Sequence, residues 1–361
     1  MELISPQKEM YAKEKLSALQ AQRLAQEIAF APVVFQISRL MVKFGILQLL
    51  LDNRNGLTMK EIADKTELSL YAVKILLESS LTIGTILRNE DKFTISKAGY
   101  FLQNDTMVKI NMEFNHDVNY LGLFNLEEAL LHGKPEGLKV FGEWSTIYEG
   151  LSQLPPQVQK SWFGFDHYYS DCSFEQALEI IFASKPKTLL DVGGNTGRFA
   201  TRCVEHDREG IHVTVMDLPQ QLAMMRQQTA NLPGADRIHG YEANLLDPQT
   251  VFPVGFDAIW MSQFLDCFSN EEVISILSRA AASMNERCKL YIMETIWDRQ
   301  RFETASYCLA QISVYFTVMA NGNSKMFNYE DLKNNIHAAG LKIAKIHDNL
   351  GMGHAILECI V

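Results

Sequence analysis

Residues 189–217 constrain this chain more than any other stretch. An apolar run ends in an acid and a glycine-rich turn, Leu189-Leu190-Asp191-Val192-Gly193-Gly194-Asn195-Thr196-Gly197. Twenty residues past Gly197 a second run, His212-Val213-Thr214-Val215-Met216, ends in Asp217. Strand, tight turn, helix and strand in that order form the unit with which an open parallel sheet holds a nucleotide-like ligand. Gly193 and Gly194 let the backbone approach that ligand where a side chain would clash. Asp217, at the tip of the second strand, is placed to accept hydrogen bonds from both hydroxyls of a ribose.

Spacing then selects among ribose ligands. A dinucleotide fold uses G-x-G-x-x-G and aims a helix N-terminus at a pyrophosphate. No glycine register around Gly193 gives that pattern, and Asp191 would repel a phosphate. An acid two residues before the first glycine suits a ligand with a cationic amino-acid end and no phosphate, and S-adenosylmethionine fits that description. A buried strand followed by an ordinary glycine turn is the bland alternative, but it does not explain two acids at two strand tips.

At 361 residues the chain is long for one core, so two domains are expected. A hydrophobic share of 47%, with 21% charged residues, is that of an ordinary soluble protein. A net charge of −10 argues against a nucleic-acid partner, because phosphate binding is led by clustered Lys and Arg. The most apolar run, 44–51, is far too short to cross a bilayer, and residues 1–18 lack the apolar core of a secretory signal. Six scattered cysteines, with no C-x-x-C pair and no nearby His cluster, read as free thiols in a reducing cytoplasm and give a metal site no support.

Along the chain, residues 8–52 carry helical periodicity throughout, with Pro32 at a break or a first-turn position. The helix after Pro32 is apolar on most sides, which suggests burial against a partner subunit. Thr58-x-x-Glu61 is a capping box opening a helix over 59–65, and Ser69 caps a second over 70–81. Two short strands, 85–88 and 92–95, complete a winged helix. Its second helix, with one Lys and one Glu among apolar residues over 70–78, lacks the groove-facing Arg, Lys, Asn or Gln of a DNA reader. A structural or dimerising role is the better reading.

Residues 106–170 are mostly helical and rich in aromatics, and a helix over 174–183 precedes the α/β pattern. Strands are expected at 187–192, 212–217, 237–242, 256–262, 288–295, 341–347 and 354–360. Only Asn349-Leu350-Gly351-Met352-Gly353 separates the last two, so the final strand should run antiparallel. The fold class is therefore α/β, a Rossmann-like seven-stranded methyltransferase sheet plus an N-terminal helical, winged-helix dimerisation domain. Boundaries at 1–105 and 106–361 are expected, with 106–172 supplying substrate-lining helices.

The chain resembles the plant-type and bacterial small-molecule O-methyltransferases, which join an N-terminal winged-helix dimerisation domain to a Rossmann-like catalytic domain. Asp191 to Gly197 is similar to their D-V-G-G-G-x-G, and Asp217-Leu218-Pro219 to their D-L-P. The resemblance places Leu218 at the cofactor, sets Asn244 and Leu245 on either side of the adenine, and puts Ser262 near the cofactor's carboxylate or adenine edge. It implies a homodimer whose N-terminal helices form the interface and line part of the pocket.

The departure from the family comes after the fourth strand of the sheet. Where the family reads L-H-D-W-S-D-E, with His as general base, this chain reads Leu265-Asp266-Cys267-Phe268-Ser269-Asn270-Glu271, so Asp266 occupies the base position. Glu294 matches the strand-end acid that steers the family's His, and Lys325 falls where a further Glu is usual. A carboxylate of ordinary pKa near 3.9 lies roughly six units below a phenol near 10. Burial and Glu294 would raise Asp266, and a close Lys325 would lower it again. Asp266 is thus a tuned base, a substrate-orienting acceptor, or a residue in a site that no longer methylates. His167, in Trp162-Phe163-Gly164-Phe165-Asp166-His167-Tyr168-Tyr169, is a candidate replacement base, against a structural role among packed aromatics. His354, in the closing hairpin, reads as structural.

Methyl transfer to a small aromatic or quinol-like hydroxyl is the leading expectation. Two others stay open: a cofactor-binding relative with different chemistry, such as hydroxylation or decarboxylation, and a winged-helix regulator that senses a small ligand.

Overall fold

The computed structural model describes residues 11–207 and 210–361, which form two compact units, Tyr11–His116 and Asp117–Val361. The helix Thr106–Phe114 thus lies with the N-terminal unit.

In the N-terminal unit the first helix is Ala18–Ala29. Helix had been expected from residue 8; residues 8–10 lie outside the described residues, and 11–17 are not helical. Ser17 sets the start, its side chain accepting from the Gln20 N–H while Gln20 returns the bond to the cap. Pro32 occupies the first turn of Ala31–Lys43, and a left-handed Gly45 (φ 71°) separates that helix from Ile46–Asp52. The capping box at Thr58 opens Met59–Thr66, and Ser69 caps Leu70–Ile83. β1 (Leu57–Thr58), β2 (Ile86–Asn89) and β3 (Lys92–Ile95) form an antiparallel sheet in the order β1-β3-β2. Met41, Leu47, Leu50, Ile62, Leu77 and Phe93 are buried together as its core.

The second unit holds β4 (Thr188–Val192), β5 (His212–Asp217), β6 (Ile238–Glu242), β7 (Ala258–Ser262), β8 (Lys289–Thr295), β9 (Lys342–Leu350) and β10 (His354–Ile360). They form one sheet in the order β6-β5-β4-β7-β8-β10-β9, in which β10 runs antiparallel to both its neighbours. Successive side chains alternate between two buried layers, as period-two geometry requires. Leu190, Ile259 and Ile292 pack on Val273, Ile276 and Leu277 of Asn270–Ser283 and on Ile336 of Tyr329–Ala338. Leu189, Trp260 and Met293 face Leu178 and Ile181 of Phe174–Phe182, with Phe199 and Val204 of Arg198–His206. Helices on both faces explain why these strands read as near-continuous apolar runs. Connections leave the central β4 toward β5 on one side and β7 on the other. That reversal opens a crevice at the carboxyl ends of the strands.

Candidate functional site

The crevice is floored by the turn after β4. Gly193 is left-handed (φ 72°), and a Cβ there would stand 2.2 Å from the Phe264 ring. Gly194 lies directly over Asp191, and a Cβ there would stand 2.6 Å from its Oδ2. Both positions therefore require glycine. Asn195 is also left-handed (φ 51°), and its N–H donates to Asp217 Oδ2 at 2.8 Å. The Leu218 N–H donates to Asp217 Oδ1 at 2.7 Å. Each oxygen of Asp217 is fixed by one backbone donor, and each keeps acceptor capacity for a ribose hydroxyl.

Burial raises both acids. Asp191 is pushed up to about 8 by desolvation and then by Asp217. Asp217 is raised to about 6 by desolvation, against the two backbone donors that lower it. Asp191 Oδ2, Asn195 Oδ1 and Ser262 Oγ are buried without a protein partner. Orphaned polar atoms of this kind beside a glycine cradle fit a polar ligand with a cationic end. Leu245 is buried, while Asn244 is exposed on the loop after β6, its side-chain oxygen accepting from the Leu246 N–H at 3.0 Å.

Past β7 the chain turns sharply at Gln263 (φ 46°). His354 holds that turn: one ring nitrogen bonds Gln263 Oε1 at 2.6 Å and the other Ser173 Oγ at 2.8 Å. Desolvation lowers the His354 pKa to about 4, so the ring is neutral and structural. Two more bonds shape the segment. Glu294 Oε1, at the end of β8, accepts the N–H of Phe264 at 3.2 Å and of Leu265 at 2.9 Å. This bracket delivers Asp266, which is 3% exposed, into the interior.

Asp266 is raised to about 7, first by desolvation, with Cys267 lowering it and Asp166 raising it. Glu294 is raised well above the usual carboxylate range by desolvation and then by Asp266. Tyr148 Oη donates to Cys267 Sγ at 3.0 Å, and Cys267 Sγ lies 3.5 Å from Asp266 Oδ1. Trp162 Nε1 donates to Tyr315 Oη at 2.7 Å, and the Tyr148 and Trp162 rings meet edge to face at 6.5 Å. Tyr148, Trp162 and Tyr315 thus pack together, and Tyr148 reaches Cys267, the neighbour of Asp266.

Lys325 does not reach Asp266. It pairs with Asp331 at 3.2 Å with its side chain 54% exposed. The turn at Gly322 (φ 89°) and the bonds that Asn321 Oδ1 accepts from the N–H groups of Asn323 and Ser324 set that segment, and the Asn321 amide donates to the Cys267 carbonyl. His167, on Pro156–Asp171, rests on Phe163, and its charged neighbours are Arg198 and Asp171 rather than Asp266. Its Nε2 is buried without a partner, and its pKa is lowered, first by desolvation.

Sequence reasoning did not single out Phe264, Tyr148, Cys267, Tyr315 or Asp166 as site residues. Asp166 alone carried a signal, four residues after Trp162 and so on the same helix face. The others reach the site from segments whose order in the chain says nothing of their meeting.

Comparison with known proteins adds to this geometry. Residues 22–93 match the family described as Dimerisation2-like domain, and residues 124–341 the family described as O-methyltransferase domain. A curated relative, the L-tyrosine C(3)-methyltransferase of Streptomyces lavendulae, is 21% identical over 317 residues, 87% of this chain and 85% of that protein. Among solved structures, the S-adenosylmethionine-dependent methyltransferase SibL in its apo form superposes with a TM-score of 0.72 at 20% identity, covering 96% of this chain and 99% of that one. The mitomycin 7-O-methyltransferase MmcR gives 0.69 at 17% identity, covering 94% and 97%.

Proposed function

The chain belongs to the O-methyltransferase domain family and is an S-adenosylmethionine-dependent methyltransferase, and from that premise we propose that it methylates a hydroxyl of a small aromatic acceptor with Asp266 as general base. One observation carries the reading: an acid buried in the family's base position, held at about 7. Against a phenol near 10, such a carboxylate is about 3 units short, roughly 4 kcal/mol, where an exposed Asp would be about 6 units short. Burial halves the mismatch. Approach of an electrophile to the oxygen lowers the hydroxyl pKa further as the bond forms.

When bound, S-adenosylmethionine supplies a methyl group on a sulfonium. Asp217 would accept the ribose hydroxyls, Asp191 and Ser262 would serve the amino-acid end, and Leu245 would pack on the adenine with Asn244 and Leu218 beside it. That methyl would go to the acceptor oxygen, its former bonding pair staying on sulfur, while Asp266 would take the hydroxyl proton. Glu294 acts through the Phe264 and Leu265 N–H groups as a positioning residue. His167 keeps a supporting place on the acceptor side, its unpartnered Nε2 available to a substrate polar group. Positioning supplies most of the acceleration in such a displacement.

The protein acts as a homodimer through a winged-helix N-terminal domain. Leu19 and Ile28 on Ala18–Ala29, Val33 on Ala31–Lys43 and Phe30 between them are exposed, and the outer face of Leu70–Ile83 presents Leu70, Tyr71 and Ile75, which suits subunit contact better than a DNA groove. Free cysteines, and the lack among the described residues of a single helix long and apolar enough to cross a membrane, support a cytoplasmic setting. The test is titration calorimetry with S-adenosylmethionine and S-adenosylhomocysteine, followed by single-turnover methyl transfer to a phenol and quinol panel. Micromolar binding and a product lost in Asp266→Asn are expected. Retained turnover in that variant would remove Asp266 as base.

A further inference from the structure

The β9 edge of the large sheet carries a second cavity, of about 520 Å³, a size usual for small-molecule sites. Its floor is one face of three strands: Lys289 and Tyr291 from β8, Glu358 from β10, Lys345 and His347 from β9. Strand register brings them together. Glu358 stands opposite Tyr291 on one side and Lys345 on the other, and His347 follows Lys345 by two residues onto the same face. Ile180 and Ala183, from the helix Phe174–Phe182 and its end, form a side wall, with Glu179 exposed at the rim. β8 enters the sheet here at Lys289 and reaches the crevice only at Glu294, about 16 Å further along. The cavity is therefore separate from the crevice.

Donors outnumber acceptors on this floor. Lys289 Nζ donates to Glu358 Oε1 at 2.6 Å, so the carboxylate already has its counter-charge. Its other oxygen stands 3.6 Å from His347 Nε2, too far for a hydrogen bond, and that nitrogen is buried without a partner. Lys345 has no ion pair among the described residues. Three nitrogen-bearing side chains thus surround one carboxylate, and two of them keep donors to spare. An edge strand often carries Lys to discourage further strand pairing. That role explains neither the cavity beside the helix nor the unspent nitrogen in its floor. A buried donor of this kind calls for an acceptor that the chain does not supply.

We propose that this cavity is a second ligand site that takes a small organic anion, its carboxylate or phosphate group held by Lys345 and His347 and its carbon body lying on Ile180 and Ala183. The site goes beyond methyl transfer and does not depend on it. Glu358 is no obstacle to an anion, because Lys289 already offsets its charge. Glu179 is exposed at the rim, where solvent and salt screen it. Inorganic phosphate would meet the two nitrogens but leave most of the cavity unfilled, so an organic body should add to the affinity.

The experiment is titration calorimetry on the full-length protein, with and without S-adenosylhomocysteine. Four probes are compared: 3-phenylpropanoate, phenyl phosphate, inorganic phosphate and the neutral 3-phenylpropan-1-ol. At least one of the two organic anions is expected to bind at one site per chain, roughly tenfold tighter than the alcohol or inorganic phosphate. The tighter of the two identifies the group as carboxylate or phosphate. Binding should be the same with S-adenosylhomocysteine present, since the cavity lies apart from the crevice. Lys345→Ala should weaken it by about tenfold, Lys345→Glu should abolish it and Lys345→Arg should retain it, all with an unchanged melting temperature, because the side chain is exposed. No binding by either organic anion, equal binding by the alcohol or by inorganic phosphate, or binding that survives Lys345→Glu would each overturn the inference. Failure of S-adenosylhomocysteine to bind would count against the methyl-transfer reading alone.

Discussion

The two halves of the crevice are built on different plans. On the side proposed for the cofactor, Asp191, Gly193, Gly194, Asn195 and Asp217 come from one strand-turn-helix-strand unit, and the geometry there is set largely by backbone: two N–H groups fix Asp217, and two glycines leave room. On the side proposed for the acceptor, Asp266 depends on side chains from four separate segments. Glu294 brackets its backbone, His354 holds the preceding turn, Tyr148 engages its neighbour Cys267, and Asp166 acts on its charge. A ligand shared by many proteins can be held by a local backbone motif. A ligand that distinguishes one enzyme from the next needs side chains that vary independently.

The largest expected effect lies on the acceptor side. Asp266→Asn keeps the shape and removes the proton acceptor, and kcat should fall by about 10²- to 10⁴-fold, the range for a general base. Affinity for S-adenosylhomocysteine should stay within about twofold, because the cofactor side does not use Asp266. A rate loss accompanied by an equal loss of cofactor affinity would show that the halves are one unit. In the wild type, kcat should rise with pH through about 7, where Asp266 gives up its proton.

Stability separates the halves by the sign of its pH dependence. His354 has a folded pKa of about 4 against an unfolded value near 6.5. Between those values the unfolded chain binds the extra proton, so stability falls as pH drops from about 6.5 to 4, by roughly 3 kcal/mol in all. Asp191 runs the other way. Its folded value is about 8 against 3.8 unfolded, so the folded state holds the extra proton, and stability falls as pH rises from 4 to 8. Denaturant melts across pH should show that His354→Gln flattens the acid limb and Asp191→Asn the neutral one. An acid limb unchanged in His354→Gln would remove the neutral-His account of the turn.

On the cofactor side, Asp217→Ala should weaken S-adenosylmethionine binding by roughly tenfold or more, since two ribose bonds are lost along with the anchors of the Asn195 and Leu218 amides. Unchanged affinity by calorimetry would refute the ribose assignment.

What was legible in the sequence follows the same division. Seven strands, the reversal of the last, and the acids at two strand tips were readable because each is a local pattern: a buried run of period two, a short hairpin loop, an acid before glycines. The reading of Asp266 at the family's base position rests on Leu265, Ser269 and Glu271, which frame it in the sequence. Three things were not legible. The break in helix over 11–17 before Ala18 depends on Ser17 and Gln20 trading cap bonds, which outweighs the periodicity there. The outward course of Lys325 depends on Asn321 bonding its own loop. The meeting of Tyr148, Asp166, Asp266 and Tyr315 is a long-range event that no spacing encodes.

The smallest expected effect tests whether the acceptor wall is tuned or merely packed. Tyr148 is buried, and its hydroxyl, raised well above its ordinary pKa by desolvation, donates to Cys267 Sγ. Tyr148→Phe keeps the ring beside Trp162 and removes one weak bond to sulfur, which leaves Cys267 freer to turn toward Asp266 Oδ1. A hydrogen bond from Cys267 stabilises the ionised acid, so the variant should shift the pH–rate midpoint slightly down and change kcat by less than about threefold. A midpoint that does not move, with KM alone altered, would mean that Tyr148 serves the acceptor directly and that the Asp266 charge is set by burial and Asp166.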